Sequence, residues 1–141
     1  MNVAPFFTKW VSCNSSVYNA IATPDWFNQE EYTIPVLLDE IRVQIYAGAN
    51  DWICNHQGNY LWVSQMDWNG KGEFNSAPRK VWSSADGKTV KGYQQSYGPL
   101  SFVTVTNAGH MVPHDQPQNS WEMLMAFLND TPLPNPPQKK K

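Results

Sequence analysis

In 141 residues the chain carries 12 acids against 10 bases, seven tryptophans, six tyrosines, six phenylalanines and two cysteines. That length suffices for one domain with its own core, and two thiols are too few to staple a chain of this size in place of a core. With Lys139, Lys140 and Lys141 confined to the tail, the body is acidic and offers no basic cluster for nucleic acid, and no apolar run approaches the roughly 18 residues that span a bilayer.

The first residues, MNVAPFFTKW, lack a charged stretch followed by an apolar one, so no secretory signal is expected in them. Asn14-Ser15-Ser16 and Asn129-Asp130-Thr131 match the glycosylation acceptor pattern, which makes Asn14 and Asn129 candidate acceptors. Residues 33–40 carry an early proline with Val36, Leu37 and Glu40 at helical spacing, predicting a short helix. Ile41, Val43, Ile45 and Ala47 then alternate as in a strand, ended by a turn at Gly48-Ala49-Asn50-Asp51. Asn55 is the expected N-cap of a helix to Met66, with Tyr60, Leu61, Val63 and Met66 as its apolar positions.

The Gly- and Asn-rich stretch 68–80 reads as irregular, and Gly70-Lys71-Gly72, with no third glycine, reads as a plain loop. Val81-Trp82, an Asp86-Gly87 turn and Val90 to Tyr97 predict an antiparallel hairpin. Leu100 to Thr106 alternates and is rich in β-branched residues, predicting a strand that turns at Asn107-Ala108-Gly109 into His110. Asp115 as a capping acid and Pro117 in the first turn predict a last helix, whose Trp121, Leu124, Met125 and Leu128 form one stripe facing a sheet. From Thr131 onward four prolines and three lysines, with Leu133 as the one large apolar residue, predict a disordered end. Strands interleaved with helices give an α/β class.

In such a sheet binding and reactive groups collect at strand C-termini, where Asp51 and His110 both fall. A carboxylate that accepts from imidazole Nδ1 leaves Nε2 to take a proton, so an acid–base pair is one reading; a turn-capping Asp and a loop His are the structural alternative. His110 and His114 are four apart, but Gly109 and Pro113 oppose a helix there, so no metal site is expected. Trp62 and Trp121 fall within helical patterns and are expected in the core, whereas Trp52, beside Asp51, is placed to line a pocket.

The segments IYAGANDWICNHQGN (45–59) and NAGHMVPHDQP (107–117) resemble the serine carboxypeptidases, α/β-hydrolase peptidases that remove C-terminal residues; SCNSSVYNAI (12–21) and SWEMLMAFL (120–128) are similar to further family segments. The resemblance covers residues 1–130 and leaves 131–141 as a tail. It implies the C-terminal part of an α/β-hydrolase sheet with flanking helices, incomplete as an independent domain. It makes Asp51 the triad acid and His110 the triad base, in the family order Ser, Asp, His. Cys54, Met111 and Ser12 match positions bordering the pocket for the substrate's terminal side chain, and Cys13 resembles a half-cystine bonded to an earlier part of the chain. No cofactor or metal is implied; the partners implied are a peptide C-terminus and the serine-bearing portion, in a secreted, lysosomal or vacuolar setting.

The chain departs from the family in one decisive respect: none of its serines has glycine at both i−2 and i+2, so the Gly-x-Ser-x-Gly nucleophile elbow is absent. The upstream oxyanion-hole glycines and the acidic pair for the substrate carboxylate are absent with it, so the chain alone is expected to be inactive. Asp39-Glu40-Ile41 also lacks the glycine that family members place between this helix and strand, which predicts a strained or shifted helix end. Three alternatives stay open: a family acyltransferase with the same triad, a non-catalytic interaction remnant of the fold, and a small aromatic-rich carbohydrate-binding domain.

Overall fold

The structure is a computed structural model and describes residues 11–25 and 32–136. The chain divides into two compact units, residues 1–30 and 31–141. In the first, helix α1 (Ser15–Asp25) is opened by Asn14, whose Oδ1 accepts the amides of Ser16 at 3.0 Å and Val17 at 3.2 Å. Those amides are donors that the start of a helix otherwise leaves without partners.

The second unit runs α2 (Thr33–Leu38), β1 (Val43–Gly48), α3 (His56–Gln65), α4 (Lys71–Ser76), β2 (Lys80–Ser83), β3 (Val90–Tyr97), β4 (Leu100–Val105), α5 (Val112–Asp115) and α6 (Pro117–Leu128). The four strands form one mixed sheet in the order β1-β4-β3-β2, with β1 parallel to β4 and the other pairs antiparallel. The expected hairpin is β2–β3, turned through Asp86 and a Gly87 at φ +71°, and Gly98 at φ +52° turns β3 into β4.

β4 lies between two strands and has buried residues on both faces, which is why Leu100, Phe102, Val103 and Val105 are apolar on alternate sides of it. Leu100 and Phe102 join Leu38, Val63, Met66 and Phe74 on the side of α2, α3 and α4. Val103 and Val105 join Trp82, Ala108, Val112, Met123 and Leu133 on the other side. Several polar groups of this core are paired: the Trp82 indole donates to Glu122 Oε1 at 3.0 Å, Lys91 pairs with Glu122, and Gln95 Nε2 donates to the Phe74 carbonyl at 2.6 Å, whereas Trp68 Nε1 and Ser120 Oγ have no partner among the described residues. Arg42, just before β1, donates to the Phe127 carbonyl at 2.8 Å and to Asp130 at 2.7 Å, tying the start of the strand to the end of α6.

Four expectations are corrected. Gly70-Lys71-Gly72 is the start of helix α4, with Gly70 as its N-cap; one apolar residue, Phe74, among two glycines gives no period to read. The helix α2 ends without strain: Asp39 has an ordinary φ of −73°, and the amides of Glu40 and Ile41 both bond the Leu37 carbonyl, so no left-handed glycine is needed. In α6 the sheet is met by Met123 and Ala126, while Trp121, Leu124 and Leu128 are 59%, 45% and 59% exposed. The helix is apolar on two adjacent faces, a pattern of burial on two sides, and the sheet covers only one of them.

The last correction concerns the tail. Leu133 is 3% exposed within the core cluster, and the Ser83 amide donates to the Pro134 carbonyl at 2.9 Å, so residues 131–136 lie along the β2 side of the sheet rather than away from it. A buried leucine outweighs the local proline content. Leu133→Ala is expected to destabilise the fold by about 2–4 kcal/mol, a difference that urea titration would measure. A change within experimental noise would mean that the segment contributes nothing to the core.

Candidate active site

Gly48 ends β1 directly against the loop that follows β4. A Cβ there would lie 2.2 Å from the Gly109 carbonyl oxygen and 2.4 Å from that of Ala108, so only glycine admits this approach. Bonds from the Ala49 amide to the Val105 carbonyl (2.8 Å) and from the Asn50 amide to the Ala108 carbonyl (2.9 Å) carry the parallel pairing past the strand ends. The two loops that begin there deliver Asp51 and His110, and His110 Nδ1 meets Asp51 Oδ2 at 3.0 Å.

Asp51 is well anchored. Its other oxygen, Oδ1, accepts the amides of Ile53 and Cys54, both at 3.0 Å, and its side chain is 6% exposed against 65% for that of His110. Burial pushes the Asp51 pKa up, but the bonds from His110, Cys54 and Ile53, with the attraction of His110, together outweigh it and hold the carboxyl below its ordinary value. The acid is therefore ionised and directed at the ring. The other ring nitrogen, Nε2, is engaged by no described residue.

The loop bearing His110 is fixed from behind by residues that sequence reading did not assign to the site. Asp115 is not the capping acid of α6, whose N-cap is Gln116; it closes α5 and turns back, accepting the Gly109 amide on Oδ2 at 2.7 Å while Oδ1 meets His114 Nδ1 at 3.1 Å. Gln116 Nε2 donates to the carbonyl of Asn107, a residue at φ +56° that begins the turn. The signal for these contacts lies in loop geometry, where an acid six residues on from a glycine is indistinguishable from a helix cap.

The Gly109 bond foremost, then that from His114, holds the Asp115 carboxyl below the usual carboxylate value against a smaller opposing effect of desolvation. A depressed folded-state pKa means that the contact stabilises fully above the unfolded value of about 3.9 and is lost as pH falls through the lower folded value. The Gly109 amide resonance is thus expected to titrate with a midpoint below about 3.9, and Asp115→Asn is expected to abolish that titration. A midpoint at or above the ordinary value would contradict the assigned bond.

Of the other residues named from the sequence, Cys54 joins the pair: Asp51, Cys54 and His110 each offer a ligand-type atom within 4.8 Å of the others. The Cys54 carbonyl accepts from Asn59 Nδ2 at 2.8 Å, and Asn55 caps α3 by accepting the Gly58 amide at 2.8 Å, as expected. Met111 follows His110 and is 63% exposed, and Trp52 at 91% projects from its loop rather than lining a cavity. Ser12 and Cys13 belong to the first unit, where Cys13, like Cys54, is a free exposed thiol. Asn14 and Asn129 are both exposed, and the Asn129 side-chain amide donates to the Met125 carbonyl at 2.9 Å. His114 is turned to Asp115, so the paired histidines do not converge. No helix among the described residues is long and apolar enough to cross a membrane.

Comparison with known proteins places the chain in a family. Residues 1–130 match the family model described as serine carboxypeptidase. A serine carboxypeptidase-like protein of Oryza sativa subsp. japonica is 49% identical over 122 residues, covering 86% of this chain and 28% of the relative. Serine carboxypeptidase-like 47 of Arabidopsis thaliana is 47% identical over 121 residues, 85% of this chain and 23% of the relative. The crystal structure of Kex1(Δ)p, a prohormone-processing carboxypeptidase from Saccharomyces cerevisiae, superposes with a TM-score of 0.73 at 30% identity, over 86% of this chain and 26% of that one. The chain thus spans about a quarter of the length of these proteins, and over that span its mixed sheet with flanking helices superposes on the yeast structure. The chain belongs to the serine carboxypeptidase family.

Proposed function

We propose that Asp51 and His110 are the acid and base of a Ser–His–Asp triad that releases C-terminal residues from peptides, with the serine supplied by a segment outside the 141 residues. The observation that carries this reading is the 3.0 Å contact between Asp51 Oδ2 and His110 Nδ1, which leaves Nε2 unengaged at a strand-end crevice. In that role Nε2 takes the proton of the attacking serine oxygen and later gives it to the departing amine. Asp51 holds the Nδ1–H tautomer and stabilises the imidazolium formed in between.

By the family resemblance Cys54 and Met111 border the site for the substrate's terminal side chain, Ser12 matches a family position of the same kind, and Cys13 pairs with a cysteine of the serine-bearing portion. The setting is secreted or vacuolar, and Asn14 and Asn129 are the glycosylation acceptors. By this mechanism the 141 residues alone hydrolyse no peptide, because none of their serines has the flanking glycines of a nucleophile elbow.

The test is a chimera in which this chain replaces the matching C-terminal part of the rice relative. Release of the terminal residue from an N-blocked dipeptide, with fluorophosphonate labelling of the serine, supports the reading. A folded, labelled chimera that only transfers acyl groups to alcohols would make the site an acyltransferase. A folded chimera with neither label nor turnover would leave an interaction remnant of the fold.

A further inference from the structure

We propose that Asp51, Cys54 and His110 form a binding site for one thiophilic divalent cation, zinc in the first place, whose occupation withdraws His110 from proton transfer. The three side chains supply a carboxylate, a thiolate and an imidazole, the donor set that favours zinc over magnesium or calcium. The site itself rests only on what these three groups hold, whereas its effect on proton transfer rests on the triad role proposed above for His110.

The geometry is close to what a tetrahedral ion needs. With Zn–N and Zn–O bonds of about 2.0–2.2 Å and Zn–S of about 2.3 Å, neighbouring ligand atoms stand roughly 3.3–3.7 Å apart. His110 Nδ1 and Asp51 Oδ2 are 3.0 Å apart, and one ligand-type atom from each of the three residues lies within 4.8 Å of the others. Cys54 is a free, exposed thiol, so rotation of its side chain is what brings the sulfur onto the ion.

The backbone beneath it is already fixed. The Cys54 amide donates to Asp51 Oδ1 at 3.0 Å and its carbonyl accepts from Asn59 at 2.8 Å, so the thiol is carried on a loop held by another ligand of the same site. The carboxylate keeps those two amide bonds through Oδ1 while Oδ2 turns to the ion, an arrangement that orients a ligating carboxylate from behind. As the metal–sulfur bond forms, the thiol proton passes to solvent, and the Nδ1 lone pair that binds the ion requires the ring proton to sit on Nε2. The fourth position is left to water. An ion seated there removes the acceptor at Nε2 that a general base needs, so the same three residues serve either as an acid–base pair with Cys54 beside it or as three ligands of an ion.

The test uses cobalt(II) as a spectroscopic probe on the 141-residue chain carrying Cys13→Ser, which leaves Cys54 as its one thiol. Titration is expected to develop a thiolate-to-cobalt charge-transfer band and tetrahedral d–d absorption that saturate at one ion per chain and are bleached by added zinc. Cys54→Ala is expected to remove the charge-transfer band. His110→Ala and Asp51→Asn are each expected to weaken binding by about tenfold or more, at least the loss that follows removal of an outer-shell partner. Far-ultraviolet circular dichroism checks that each variant keeps its secondary structure. Absence of the band in excess cobalt, while Cys54 still reacts with a thiol reagent, would overturn the proposal. So would a band that neither His110→Ala nor Asp51→Asn weakens, since that is a lone thiol binding by itself.

Discussion

His110→Ala in the rice-derived chimera is expected to lower kcat by about 10⁶-fold while substrate binding changes little, and Asp51→Asn to lower it by about 10⁴-fold. The asymmetry follows from the roles. Without the imidazole nothing accepts the serine proton, and the amine has no acid to leave with. With asparagine at 51 a ring and a hydrogen-bond partner remain, but the amide can present its NH₂ to Nδ1 and favour the wrong tautomer, in which Nε2 carries the proton it should accept. The double variant is expected to be no slower than His110→Ala, since both residues act on one proton transfer. Turnover within tenfold of the parent chimera in His110→Ala would remove His110 from the mechanism.

The second large effect is expected at a residue that carries no chemistry. Gly48→Ala places a methyl group 2.2 Å and 2.4 Å from two backbone oxygens, of Gly109 and Ala108, which cannot rotate out of its way. The ends of β1 and β4 must part, at an expected cost of about 2–3 kcal/mol in urea unfolding of the chain. In the chimera the same displacement separates Asp51 from His110, and a shift of about 1 Å in such a pair is worth roughly a hundredfold in kcat. Gly72→Ala is the control: nothing lies within 4 Å of its added Cβ, and it sits inside helix α4. Alanine there is expected to stabilise by about 0.5–1 kcal/mol. Equal effects of the two substitutions would show that glycine at 48 has no steric role.

What could be read from the sequence divides along a physical line. β1, the β2–β3 hairpin, β4 and α3 were legible because each carries a repeating apolar pattern or a turn residue with one strong local preference, as Asn55 caps α3 and Gly87 turns the hairpin. Placing Asp51 and His110 at strand ends was enough to expect them on one crevice, and the parallel pairing of β1 with β4 is what brings them to 3.0 Å. Illegible were the features decided by contacts distant in sequence. The choice of which apolar stripe of α6 meets the sheet depends on where Met123 finds Trp82 and Val105, and Leu133 is drawn in by that same cluster. Asp115 was misread for a related reason, because its partner is chosen by the loop at Gly109 and not by the helix that follows.

The two margins of the sheet are unlike, and this limits how copies of the chain can associate. At one margin β2 is four residues long, and its Ser83 amide is already taken by a segment in which Pro132, Pro134 and Pro136 alternate with other residues, so that flank has few donors to lend. At the other margin β1 is six residues long, and among the described residues nothing pairs with its outer side, next to which Tyr46 and Trp121 stand exposed. Among the described residues, edge-to-edge growth therefore has one open margin. Two copies that join there through a two-fold axis exhaust each other's valence, so the association that β-pairing permits is a closed pair, and an open-ended fibre would first have to peel the proline-bearing segment away from β2.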